Sequence, residues 1–125
     1  YKRQHHPTEI KSIFDTIDSN YQDKPKAVIF QPHLYTRTRD LMDDFAKVLS
    51  YFHEVYLLDI YPEREKPING ITSEVLLIKI DASKKEIVKK VEINDVINNT
   101  NCKIIAILGA GDLTVNLNKK IFTNE

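Results

Sequence analysis

With 125 residues, 42% of them apolar and 29% charged, the chain is expected to form one folded domain, neither disordered nor fibrous. Its 18 basic and 18 acidic residues cancel, which removes the basic excess of a nucleic-acid binder; no apolar run nears the roughly 18 residues that cross a bilayer, and the polar start does not read as a signal peptide. Cys102 is the single cysteine, which excludes an internal disulfide framework and a multi-cysteine zinc site and points to a reducing, cytoplasmic setting.

Apolar residues Ile10, Ile13, Phe14, Ile17 and Tyr21 recur at three- and four-residue steps, so they predict a helix that starts at Pro7 and ends before Lys24-Pro25. Ala27 to Phe30 then reads as a strand that stops near Gln31, because Pro32 cannot donate to a ladder. A second helix follows, capped by Thr36 or Thr38, with Leu41, Met42, Phe45, Val48, Leu49 and Phe52 as its buried stripe. Val55 to Ile60 reads as a second strand, and Tyr61 to Gly70 as a loop. Ser73 to Ile80 is expected to be a short helix capped by Thr72 or Ser73. Ile87 to Val91 reads as an edge strand, and Ile93, Val96 and Ile97 mark another short helix. Ile104 to Leu108 is the clearest strand, a continuous apolar run covered on both faces. Gly109-Ala110-Gly111 is expected to turn the chain into a final helix. This alternation predicts a three-layer, Rossmann-like α/β domain over residues 1–125, with a mostly parallel sheet and helices on both faces.

In such a sheet, ligands collect beyond the carboxyl ends of the strands. The richest segment there is 31–39, where His33, Arg37 and Arg39 surround a helix start that favours anions. Two readings stand: Arg37 grips a carboxylate or phosphate through its planar fork, or these are solvated charges on a first turn. His5 and His6 precede the first helix. Adjacent histidines on irregular chain point apart, so a hydrogen bond for one and a cap for the other is favoured over a shared metal, and a tag remnant is disfavoured. Gly109-Ala110-Gly111-Asp112 lacks the third glycine of a dinucleotide fingerprint, so a tight strand-to-helix turn is the stronger reading, with Asp112 capping or approaching a ligand. There is no Gly-x-x-x-x-Gly-Lys phosphate loop and no Gly-x-Ser-x-Gly elbow. His53 reads as structural, and for Cys102 a structural or surface thiol is favoured over a nucleophile.

Four blocks come in order: His5 to Ile10, Phe30 to Asp40, Asp59 to Pro62 with Glu65 to Ile68, and Gly109 to Asp112. Together they resemble the C-terminal domain of the Mur ligase family, in the branch that joins L-alanine to UDP-N-acetylmuramate for peptidoglycan. The Phe30–Asp40 block carries most of the likeness. The resemblance implies an ATP- and Mg²⁺-dependent ligase whose UDP-sugar and ATPase domains lie outside this chain. It also implies that this domain binds the incoming amino acid and closes over the nucleotide site, holding neither cofactor alone and being inactive by itself. By resemblance, His5, His33 and Arg37 meet L-alanine, while His6 and Asp112 make nucleotide-side or closure contacts. No metal site and no catalytic residue is assigned. Leu34 departs from the arginine of many members, and Tyr1-Lys2-Arg3-Gln4 departs from their Asp-Tyr-Gly or Asp-Tyr-Ala, so no ribose contact is carried over. Two alternatives remain: the recycling ligase that attaches a tripeptide to the same sugar, or a stand-alone, non-catalytic nucleotide- or anion-binding module.

Overall fold

The computed structural model describes residues 6–62 and 64–109, and the backbone of 120–124. Five strands form one all-parallel sheet: β1 (Lys26–Phe30), β2 (Glu54–Leu57), β3 (Lys84–Ile87), β4 (Ile104–Leu108) and β5 (Lys120–Asn124), in the order β3-β2-β1-β4-β5. Four helices accompany them: α1 (Pro7–Asn20), α2 (Tyr35–Leu49), α3 (Ser73–Lys79) and α4 (Ile93–Asn99), the last preceded by a 3₁₀ turn over Lys90–Glu92. The Rossmann-like architecture is the one expected.

Strand alternation builds two cores. Val28, Phe30, Val55, Leu57, Ile104, Ala106 and Leu108 face α1, α2 and α3, from which Ile10, Ile17, Phe45, Leu49 and Leu76 descend. Ala27, Ile29, Tyr56, Ile105 and Ile107 face the other way, against Ile93 and Ile97 of α4. The division follows from handedness. Right-handed crossovers from β1 to β2 to β3 move in one direction and stack α2 and α3 on one face. The return from β3 to β4 reverses direction, so α4 lies on the opposite face.

Several boundaries differ from expectation. The edge strand is β3, Lys84–Ile87, rather than 87–91, and its first three residues are exposed. Charged residues suit an edge that must not recruit another sheet, and they also erase the apolar signal. The second strand spans Glu54–Leu57, shorter than 55–60, and β5 was not expected. The anticipated final helix after Gly109 falls on residues outside those described. Thr72 caps α3 as expected, its hydroxyl accepting from the Val75 N–H at 3.2 Å. Neither Thr36 nor Thr38 caps α2; that position is held by Leu34, whose side chain offers no hydrogen bond.

Candidate functional site

The sheet order reverses at β1, whose neighbours β2 and β4 are reached by crossovers on opposite faces. The crevice beyond the carboxyl ends of β1 and β4 is therefore the topological switch point, where open α/β sheets bind ligands. There the Gln31 N–H donates to the Leu108 carbonyl at 3.0 Å, which brings the two chains close. Gly109 follows with φ +73°, and a Cβ on it would stand 2.9 Å from the Gln31 carbonyl oxygen and 3.2 Å from His33 Nε2. Only glycine fits both the backbone angle and the space. Gly109 thus meets the backbone demand of the expected turn, while the rest of that turn, Ala110 and Gly111, lies outside the described residues.

His33 Nε2 lies 3.3 Å from the Gly109 carbonyl oxygen. A carbonyl can only accept, so this contact places the proton on Nε2 and leaves Nδ1 with a lone pair in the neutral ring. Nδ1 is buried and has no hydrogen-bond partner among the described residues, and the same holds for Arg37 Nε. A buried polar atom without a partner is costly, about 1–3 kcal/mol, and its occurrence calls for a cause. Two such atoms fall four residues apart, both on residues picked out from the sequence.

The backbone around them is tightly specified. Leu34 adopts φ +67° and ψ 133°, a conformation that a residue with a Cβ rarely takes. It is held by its N–H donating to the Tyr61 carbonyl at 2.8 Å, while its own carbonyl accepts from the Thr38 N–H at 3.1 Å and the Thr38 hydroxyl at 2.8 Å. The Tyr61 N–H donates to the Pro32 carbonyl at 2.8 Å, and the Tyr61 ring lies 5.4 Å from that of His33. The loop after β2 is thereby docked onto the β1–α2 turn.

That loop also supplies a residue the sequence reading gave no role. Glu65 accepts the Thr36 N–H at 3.1 Å and the Thr36 hydroxyl. The Thr36 hydroxyl bond does most to hold the Glu65 carboxyl below its ordinary range; burial opposes it, and the Thr36 and Tyr35 N–H groups and the Arg39 charge add to it. The start of α2, expected to await an external anion, is therefore occupied by the chain's own carboxylate. Thr36 and Glu65 are 29 residues apart, so no local spacing could have signalled the pair.

The remaining expected residues are dispersed. Arg39 is exposed and pairs with Asp40 at 2.9 Å, the solvated reading. His6 caps α1, its Nδ1 accepting from the Thr8 N–H at 3.2 Å. The far end of α1 is fixed at the beginning of β1 by Asp18 and Lys26, 3.0 Å apart, so His6 lies toward the same end of the sheet as His33. His5 and Asp112 lie outside the described residues. Among the described residues, no group of three or more His, Cys, Asp or Glu could hold a metal, and no helix is long and apolar enough to cross a membrane.

At the opposite end of the sheet, Tyr56 and Thr100 hydroxyls both donate to Glu54, and the Cys102 N–H donates to the Thr100 hydroxyl at 3.2 Å. Burial raises the Tyr56 phenol above its ordinary range and the Glu54 bond adds to it. Burial also pushes the Glu54 carboxyl up, but hydrogen bonds from Thr100, Tyr56 and Cys102 outweigh it and leave a net lowering. Cys102 is buried here and His53 accepts the Lys26 N–H at 3.1 Å, so both are structural.

No family model matches the sequence. Curated relatives do, among them three named UDP-N-acetylmuramate–L-alanine ligase. The protein of Christiangramia forsetii is 44% identical over 109 residues, 87% of this chain and 24% of the relative. That of Flavobacterium psychrophilum is 42% identical over 120 residues, 94% of this chain and 27% of the relative. That of Phocaeicola vulgatus is 46% identical over 110 residues, 87% and 24%. The chain spans about a quarter of the length of the curated relatives it matches, in their C-terminal part.

Proposed function

The chain belongs to the Mur ligase family, as the counterpart of the C-terminal quarter of its members named UDP-N-acetylmuramate–L-alanine ligase, and on that premise we propose that it is the amino-acid-binding domain of such an enzyme. The observation that supports this most is the pair of buried atoms at the switch point, Arg37 Nε and His33 Nδ1, that have no partner among the described residues. They are complementary to the two ends of an amino acid. Arg37 donates to the carboxylate through a planar fork. His33 Nδ1, left as an acceptor by the Nε2 contact with Gly109, receives an N–H of the amine.

In the proposed full reaction, the amine of L-alanine attacks the carbonyl carbon of a muramoyl phosphate made from ATP. A C–N bond forms, the C–O bond to phosphate breaks, and the amine releases a proton. This domain's part is orientation: a carboxylate fixed on Arg37 and an amine drawn toward His33 aim the nitrogen lone pair. His5 is proposed to join them at the amino acid, and His6 and Asp112 to meet the nucleotide side on closure. ATP and Mg²⁺ supply the activation of the muramoyl carboxyl. The resemblance assigns their grip to the ATPase domain of the full enzyme, and the sequence of this chain contains no phosphate loop. The isolated chain is accordingly proposed to be inactive, and the enzyme to work in the cytoplasm.

Steady-state kinetics on the full-length ligase test the reading. Arg37→Ala should lower the efficiency with L-alanine about a hundredfold, the scale of losing a charged hydrogen-bond pair, with Arg37→Lys recovering only part. Unchanged efficiency would remove Arg37 from the site, and efficient transfer of a tripeptide in place of alanine would identify the recycling enzyme instead.

A further inference from the structure

Glu65 takes no part in the reaction proposed above, yet it sits where a free carboxylate would bind most readily. We propose that Glu65 is a positioning residue: its carboxylate plugs the start of α2, so that the amino-acid carboxylate is received by Arg37 in a single orientation. The consequence for catalysis rests on the amino-acid reading of the site; the plug itself does not. The first N–H groups of an α-helix have no partners within it and carry the positive end of its dipole. In α2 the Thr36 N–H and the Thr36 hydroxyl both donate to Glu65. Thr36 and Arg37 are consecutive, their Cα atoms about 3.8 Å apart. A carboxylate on the helix start and one on Arg37 are therefore neighbouring, competing registers. An amino acid in the first register keeps its carboxylate bound while its amine misses His33 Nδ1, which makes the complex non-productive. Glu65 reaches the helix start from a loop already docked by Tyr61 and Leu34, so the plug is in place before any ligand arrives.

Two measurements test this. The first follows the Tyr35 and Thr36 amide resonances of this chain during titration with sodium acetate. Wild type should show only the small shifts of acetate on the neighbouring Arg37, whereas Glu65→Ala should show larger, saturable shifts at both amides. Glu65→Gln, which keeps a weaker neutral acceptor in place, should respond only at higher acetate. It carries the same comparison if the alanine variant does not fold. Equal responses in wild type and variant, or none in either variant, overturn the plug. The second measurement uses the full-length ligase. Glu65→Ala should lower kcat and KM for L-alanine together, each about tenfold, with kcat/KM nearly preserved, the signature of added non-productive binding. Acetate should restore both, and Glu65→Gln should retain most of kcat. A merely structural cap would instead raise KM or lower stability without that parallel fall, and such a result overturns the positioning role. If Arg37→Ala leaves alanine efficiency intact, the amino-acid reading fails instead, while the acetate titration still decides the plug.

Discussion

The two ends of the sheet differ in how fully their buried polar groups are paired. At the amino end, Lys26 is 1% exposed, and its ammonium donates to the Lys24 carbonyl at 2.9 Å and meets Asp18 at 3.0 Å. Glu54 collects two hydroxyls there, and His53 accepts a backbone N–H. At the carboxyl end, His33 Nδ1 and Arg37 Nε stay unpaired among the described residues, and Leu34 bends through a backbone region unfavourable to side chains. A polar network closed on itself stabilises and specifies the fold. Open donors and acceptors on a strained turn cost stability, and they are retained where a ligand completes them. The comparison separates a closed end from an open one, which the proposed function makes the binding end, without appeal to residue type, since both contain a histidine and a buried cation or its atoms.

The largest expected effect that would break this contrast is at Gly109, the hinge of the binding end. Gly109→Val combines a positive φ with a Cβ 2.9 Å from the Gln31 carbonyl, a backbone atom that cannot swing aside. Strain and overpacking together should cost about 3–5 kcal/mol. Urea denaturation measures it, and an unchanged midpoint would show that the β1–β4 junction is looser than described.

At the structural end the effects are smaller and depend on pH. Thr100→Val removes a hydroxyl from a half-buried carboxylate and should destabilise by about 1–2 kcal/mol. The sign of the pH response follows from the net lowering of the Glu54 carboxyl in the folded state. Its contribution is present above the ordinary carboxylate value of 4.5 and is lost as pH falls below it. Tyr56 acts in the opposite direction: its raised phenol contributes below the ordinary value of 10.0 and loses that contribution as pH climbs beyond it. Thermal melts of Glu54→Gln should therefore be flatter than wild type below pH 4.5, and those of Tyr56→Phe flatter above pH 10. Curves parallel to wild type in both windows would show that the cluster does not titrate with folding.

What the sequence disclosed, and what it hid, follow the same division. Continuous apolar runs such as Ile104 to Leu108 announce strands covered on both faces, and the helix periods of α1 and α2 are plain, so the layers were legible. The edge strand β3 was displaced because Lys84, Lys85 and Glu86 are exposed and leave no pattern. At the site, His33 and Arg37 were legible because their chemistry stands just beyond a strand. The occupation of the α2 start by Glu65 was not, since it depends on a loop returning across 29 residues. Leu34 as the helix cap was equally hidden: its role comes from backbone bonds to Tyr61 and Thr38, which any residue type can make.

The finest test concerns Leu34, where the two ends predict opposite orders for the same pair of substitutions. At an ordinary position, alanine is more stable than glycine by roughly 0.5–1 kcal/mol, because glycine loses more chain entropy on folding. At φ +67° the order should invert. Leu34→Ala keeps the Cβ, and with it the steric cost of the left-handed backbone, while losing the packing of the rest of a half-buried side chain. Leu34→Gly loses the same packing but removes the Cβ clash, worth about 1–2 kcal/mol. The glycine variant should therefore equal or exceed the alanine variant, by up to about 1 kcal/mol, despite its floppier unfolded chain. Ser83, exposed on the bend that leads into β3, serves as the control at which alanine should win. Paired denaturation curves decide it: alanine above glycine at Leu34 would mean the turn is relaxed, and the binding end would lose its strain while keeping its unpaired atoms.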